Sequence, residues 1–223
     1  MREIVLDTET TGLSASAGDR LVEIGCLELF NHLPTGETYH QYINPTIPMP
    51  LEAQKIHGLS DEFLNDKPVF SQVAKNFLEF ISDAPLVIHN ATFDMGFINA
   101  ELEKAELPQI PSSRAIDTIA LARNKFPGAP ASLDALCRRF KIDNSARALH
   151  GALLDAELLA EVYLELVGGR QPGLVLGSAT MSQTNKKEEI RKTLVPRPHQ
   201  PTSDELEKHL DFLKRLKKPL WEN

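Results

Sequence analysis

Apolar residues along this chain fall into two kinds of pattern. Short continuous or alternating runs mark strands: Ile4-Val5-Leu6 entering the polar stretch Asp7-Thr8-Glu9-Thr10-Thr11-Gly12, then Leu21 to Phe30, then Glu37 to Asn44 after a turn at Pro34-Thr35-Gly36. The second and third runs predict an antiparallel meander. Leu86-Val87-Ile88 and Ala115-Ile116-Asp117-Thr118 are shorter strand candidates. The other pattern repeats every three to four residues. Phe70, Val73, Ala74, Phe77, Leu78 and Ile81 form one stripe and predict an amphipathic helix over 70–81. Helices are also expected over about 93–106, 118–125, 133–140 with Ser132 as its cap, and 152–167 closed by Gly168-Gly169. A short helix through Leu51 to His57 should end at Gly58. An α/β fold follows, with helices flanking a mixed sheet.

Beyond Gly168 the periodicity stops and the composition turns to Gly, Ser, Gln, Thr and Asn, as in a flexible linker. The expected organisation is a domain over 1–168, a linker over 169–193 and a tail over 194–223. Within the tail, Thr202-Ser203-Asp204-Glu205 has the capping-box pattern, and Leu206, Leu210, Leu213 and Leu216 follow at helical spacing, with Phe212 beside them and Trp221 after them. That stripe has no second element in the tail to pack on. It must dock back on the domain or on another protein, and the long linker favours the second.

With 223 residues and 42% hydrophobic content, the chain can bury one good core with some sequence left over. The start of the chain enters a strand directly and no run approaches about 20 apolar residues, so a soluble, cytoplasmic protein is expected. Cys26 and Cys137 lie among apolar neighbours without metal-binding spacing and read as buried thiols. The net charge of -7 is unevenly placed: residues 1–185 hold 14 Lys+Arg against 24 Asp+Glu, whereas 186–223 hold 10 against 7. An acidic domain gains little from neutralising phosphates. If it handles nucleic acid, it does so locally, through metals or with a partner's help.

The candidate chemistry begins at the first strand. Side chains alternate faces along extended chain, so Asp7 and Glu9 share a side. Alone, the pair is equally a solvated turn or a place for hard divalent cations. Asp94 follows a strand and opens a helix, where it could merely complement the helix dipole. His150 and Asp155 are five residues apart, about 500° of helix, so His150 belongs on the loop before the helix and Asp155 a turn inside it. His57 reads as a residue near a helix end.

In their order and setting, these residues resemble the DEDDh family of 3′→5′ exonucleases, with Asp7-Thr8-Glu9, Asn90-Ala91-Thr92-Phe93-Asp94 and His150-Gly151-Ala152-Leu153-Leu154-Asp155 as the three motifs. Val87-Ile88-His89-Asn90 and Ser132-Leu133-Asp134-Ala135-Leu136-Cys137 extend the resemblance to the proofreading exonucleases of bacterial replicases. It implies a ribonuclease-H-like fold and a metal-dependent 3′→5′ exodeoxyribonuclease. Asp7, Glu9, Asp94 and Asp155 would hold two Mg²⁺ or Mn²⁺ ions and His150 would act as the general base. Glu52 and His57 would hold the 3′-terminal nucleotide, together with Asp7, Glu9, Asp155 and Phe93, the last by packing on a base, although a core phenylalanine fits Phe93 almost as well. The implied partners are a frayed or single-stranded 3′ DNA end, the catalytic (alpha) subunit of DNA polymerase III through the tail, a small theta-type subunit, and the sliding clamp through Gln171, Leu174 and Leu176. The competing readings are an RNA-directed relative and a structural module that braces the polymerase.

Overall fold

The first apolar run forms β1 (Arg2–Thr10), paired antiparallel to β2 (Leu21–Phe30), which pairs antiparallel to β3 (Leu33–Tyr42). On its other side β1 runs parallel to β4 (Leu86–Ile88), and β4 parallel to β5 (Ala115–Asp117), giving the order β3-β2-β1-β4-β5. This computed structural model describes residues 1–145, 147, 149–169 and 200–215. Chain contacts divide it into two units, Met1–Val175 and Leu176–Asn223.

In the first unit the helices are α1 (Leu51–His57), α2 (Asp61–Leu64), α3 (Phe70–Ile81), α4 (Ala91–Lys104), α5 (Thr118–Lys125), α6 (Leu133–Phe140) and α7 (Ala152–Val167). Strand periodicity sorts them into two layers. Ile4 and Leu6 of β1 pack with Phe70, Phe77 and Ile81 of α3 and with Ile98 and Leu102 of α4. Val5, between them, faces Leu136 of α6 and Ala156, Leu159 and Val162 of α7. With both faces covered, β1 and β4 are apolar without interruption, as their sequences require.

The hairpin between β2 and β3 differs from expectation. The turn is Asn31-His32, both at positive φ (52° and 67°), and β3 begins at Leu33, opposite Phe30. A two-residue hairpin loop needs positive φ at both central positions, which asparagine tolerates well. Gly36, at φ 94°, serves within the strand, near the register shift between Leu27 and Leu29. The α4 helix also starts two residues earlier than expected, because Asn90 takes the left-handed conformation (φ 71°) and turns the chain directly from β4 into the helix. The single turn of α2, capped by Ser60, carried no periodic signal.

One glycine controls how closely the layers meet. A Cβ on Gly25 of β2 would lie 2.3 Å from the backbone of Ala152 and Leu153, so only glycine lets the first turn of α7 rest on the sheet. Gly25 is the register partner of Asp7.

In the second unit, α8 (Ser203–Arg215) carries the expected capping box: Glu205 accepts from the Thr202 backbone N–H at 2.8 Å, and Thr202 Oγ1 from the Glu205 N–H at 3.4 Å. Leu206, Leu210 and Phe212 are exposed. Gln171, Leu174, Leu176, Leu216 and Trp221 lie outside the described residues. Among the described residues no helix is long and apolar enough to cross a membrane.

Candidate active site

Three distant segments meet at the C-terminal end of β1, where β1 directs Asp7 and Glu9 toward the face covered by α7. Thr8, between them, points the other way and its Oγ1 donates to Asp94 Oδ1 at 2.7 Å, fixing the first turn of α4 against the strand. Asp155 projects from the first turn of α7, brought near by the close approach over Gly25. His150 lies on the preceding loop, and its backbone N–H donates to Ile56 O at the end of α1 (3.0 Å). Leu149 lies where any side chain on Gly58 would collide with it, a position in which Gly58 itself holds φ 79°. The four carboxylates and His150 line one cleft of about 150 Å³.

Glu9, Asp94 and Asp155 are buried, while Asp7 keeps a partly accessible face. Burial, followed by the charges of Asp94, Glu9 and Asp155, holds the Asp7 carboxyl well above the usual range. Glu9 is pushed up to about 8 by burial and by Asp155, Glu23 and Asp94. Burial lifts Asp94 to about 7 against the opposing hydrogen bond from Thr8. Such a cluster is stabilised only by protons or by added positive charge. Ligand atoms of Glu9, His150 and Asp155 lie within 4.8 Å of one another. Closely set hard oxygen donors that cannot all ionise unaided fit divalent cations.

Arg147 is the residue that sequence reasoning missed. Its Nε and Nη2 donate to the two carboxylate oxygens of Asp155, each at 2.6 Å, Nη1 donates to Asp134 Oδ1 at 2.7 Å, and Nη2 also donates to His150 Nδ1 at 2.9 Å. Nothing in the sequence around Arg147 marks it as a site residue.

Of the other expected residues, Phe93 lines the cleft and also the adjoining groove of about 810 Å³, tilted against Phe97 at 5.0 Å between ring centres. His57 is buried at the end of α1, where its Nδ1 accepts from the Leu59 N–H (3.0 Å). Its buried Nε2 has no hydrogen-bond partner among the described residues, and burial lowers its pKa. Glu52, on the first turn of α1, is exposed and does not line the cleft.

The family described as Exonuclease matches residues 4–163. The DNA polymerase III subunit epsilon of Rickettsia felis is 51% identical over 228 residues, covering 98% of both chains. Among solved structures, Exonuclease X in complex with 5′ overhanging duplex DNA is 25% identical, with a TM-score of 0.57 over 74% of this chain and 90% of that one. The nuclease domain of 3′hExo, a DEDDh family member bound to rAMP, is 18% identical and shares the fold, with a TM-score of 0.65 over 74% of this chain and 91% of that one. A five-stranded mixed sheet with this match over nearly its whole length has one reading: the chain belongs to the exonuclease family and, within it, to the DNA polymerase III epsilon subunits.

Proposed function

We propose that this protein removes 3′-terminal nucleotides from DNA as 5′-monophosphates, proofreading for a bacterial replicative polymerase in the cytoplasm. The observation that carries the reading is the convergence of Asp7, Glu9, Asp94, Asp155 and His150 on one cleft from three separate segments. Asp7, Glu9, Asp94 and Asp155 are the residues to hold two Mg²⁺ or Mn²⁺ ions. When bound, these supply Lewis-acid stabilisation of the charge that develops on the phosphodiester.

The protein's own groups do the rest. His150, half exposed on its loop, accepts the proton of the attacking water as the phosphorus–oxygen 3′ bond breaks, and the leaving 3′ oxygen takes up a proton from solvent. Phe93, between the cleft and the groove, gives a terminal base an apolar face that tolerates any base. The unpartnered Nε2 of His57 supports a role in holding the terminal nucleotide, and Glu52, exposed on the same helix and outside the cleft lining, is proposed to assist it. With no base-reading motif, selectivity for errors rests on fraying: a mispaired end reaches a recessed site more readily than a paired one.

The epsilon relatives support membership in a polymerase complex. The exposed apolar residues of α8 support residues 194–223 as the segment that binds the catalytic (alpha) subunit. Gln171, Leu174 and Leu176 are proposed to touch the sliding clamp, and a small theta-type subunit is a further proposed partner. The deciding experiment digests matched and mismatched 3′-labelled primer-templates, and an RNA oligonucleotide, with and without Mg²⁺. Faster, metal-dependent loss of mismatched DNA ends supports the reading. Preference for RNA would favour a ribonuclease, and no cleavage a structural module.

A further inference from the structure

We propose that Arg147 is a built-in competitor of the metal ions for Asp155, so that the ions bind fully only as its fork on Asp155 opens. The inference rests on the reading of Asp155 as a metal ligand. Its basis is geometric. The guanidinium fork engages both oxygens of Asp155 at 2.6 Å, so each already has a lone pair taken and a positive charge sits where a cation would approach. The same Nη2 contacts His150 Nδ1 at 2.9 Å. A guanidinium can only donate, so in this contact His150 accepts at Nδ1, a nitrogen that also lies 3.2 Å from Asp155 Oδ2. In this arrangement one side chain competes for a ligand and also ties up a lone pair of the base.

Charge explains why the exchange runs toward the loaded state. One guanidinium offsets one of four clustered carboxylates, whereas two divalent ions offset all of them. Asp134 makes the exchange short-range. It sits on α6 and holds Nη1 at 2.7 Å, while Asn144 Nδ2 donates to its Oδ1 at 3.0 Å. Arg147 can therefore release Asp155 and stay moored to Asp134 without displacing its loop. A merely structural salt bridge would help to hold Asp155 in place for the ions. A competitor opposes them, so removing it tightens binding.

The test is Mn²⁺ binding to the full-length protein, by calorimetry and by electron paramagnetic resonance of free Mn²⁺, comparing wild type with Arg147→Gln and Arg147→Lys. Freeing Asp155 from a charge-assisted fork should tighten binding on the order of tenfold in Arg147→Gln. Arg147→Lys, which keeps the charge and loses the fork, should tighten it less. Should Arg147→Gln not fold, Arg147→Lys decides alone. In the wild type, the Arg147 Nε–H resonance should be protected without metal and lose that protection as Mg²⁺ saturates the site. Unchanged or weakened Mn²⁺ affinity in the variants, or a resonance indifferent to Mg²⁺, overturns the proposal while leaving the metal site standing. If Asp155→Asn binds Mn²⁺ as wild type does, the metal-ligand reading itself falls, and this inference with it.

Discussion

Of the residues in the cleft, the carboxylates and His150 should separate cleanly in their effects. Asp155→Asn removes a proposed ligand and should abolish hydrolysis of a single-stranded oligonucleotide. His150→Ala should leave Mn²⁺ binding intact and slow single-turnover cleavage by about 10²- to 10⁴-fold, the usual contribution of a general base. The raised acids give a pH dependence with a definite sign. Without metal, folded Glu9 and Asp94 keep protons up to about 8 and about 7 that an unfolded chain would release near pH 4, so the stability they contribute is lost as pH rises through those values. Metal must displace those protons, so Mg²⁺ affinity should strengthen from pH 6 to pH 8, with proton release detectable in weakly buffered solution. The four acids and His150 could be picked out as candidates because their order and setting resemble the DEDDh motifs, each being ambiguous on its own, and the structure gathers them at one cleft. Arg147 could not be, since what singles it out is a side chain reaching both Asp134 on α6 and Asp155 on α7.

Among the elements, α7 matters most, because Asp155 rides on its first turn and His150 on the loop before it. Its seat depends on the missing side chain of Gly25. Gly25→Ala should destabilise the domain by about 1–3 kcal/mol in urea unfolding, as overpacking against rigid backbone does. It should also cut the cleavage rate in the fraction that remains folded. Wild-type stability together with a wild-type rate would mean that α7 does not need this close approach. Helix positions were readable from apolar spacing for α3 and α6 and from the flanking glycines for α7, and all three, with α5, fall at the expected residues. The turn of the β2–β3 hairpin was misplaced, because Pro34-Thr35-Gly36 carries the stronger turn composition while the loop geometry selects Asn31-His32. Composition marks where a chain can bend, and the pairing of Phe30 with Leu33 decides where it does.

On the scale of the whole molecule, the exonuclease unit and the segment bearing α8 have separate tasks in the proposed function. Deleting residues 190–223 should leave hydrolysis of free single-stranded DNA within about twofold of wild type, since ±0.5 kcal/mol is the usual reach of changes remote from a site. The same deletion should abolish co-purification with the polymerase, as judged by pull-down. Tethering raises the effective concentration of one active unit near its substrate without any new contact, which is how an acidic nuclease can work efficiently on a polyanion. The sheet order has a temporal consequence as well. Its central strand is made first, yet the acid that completes the cleft comes from α7, the last helix of the unit, so translation reaches residue 155 before any set of four carboxylates exists. A chain that ends before residue 155 therefore lacks one of the four carboxylates, and the cleft is complete only when the domain is nearly finished.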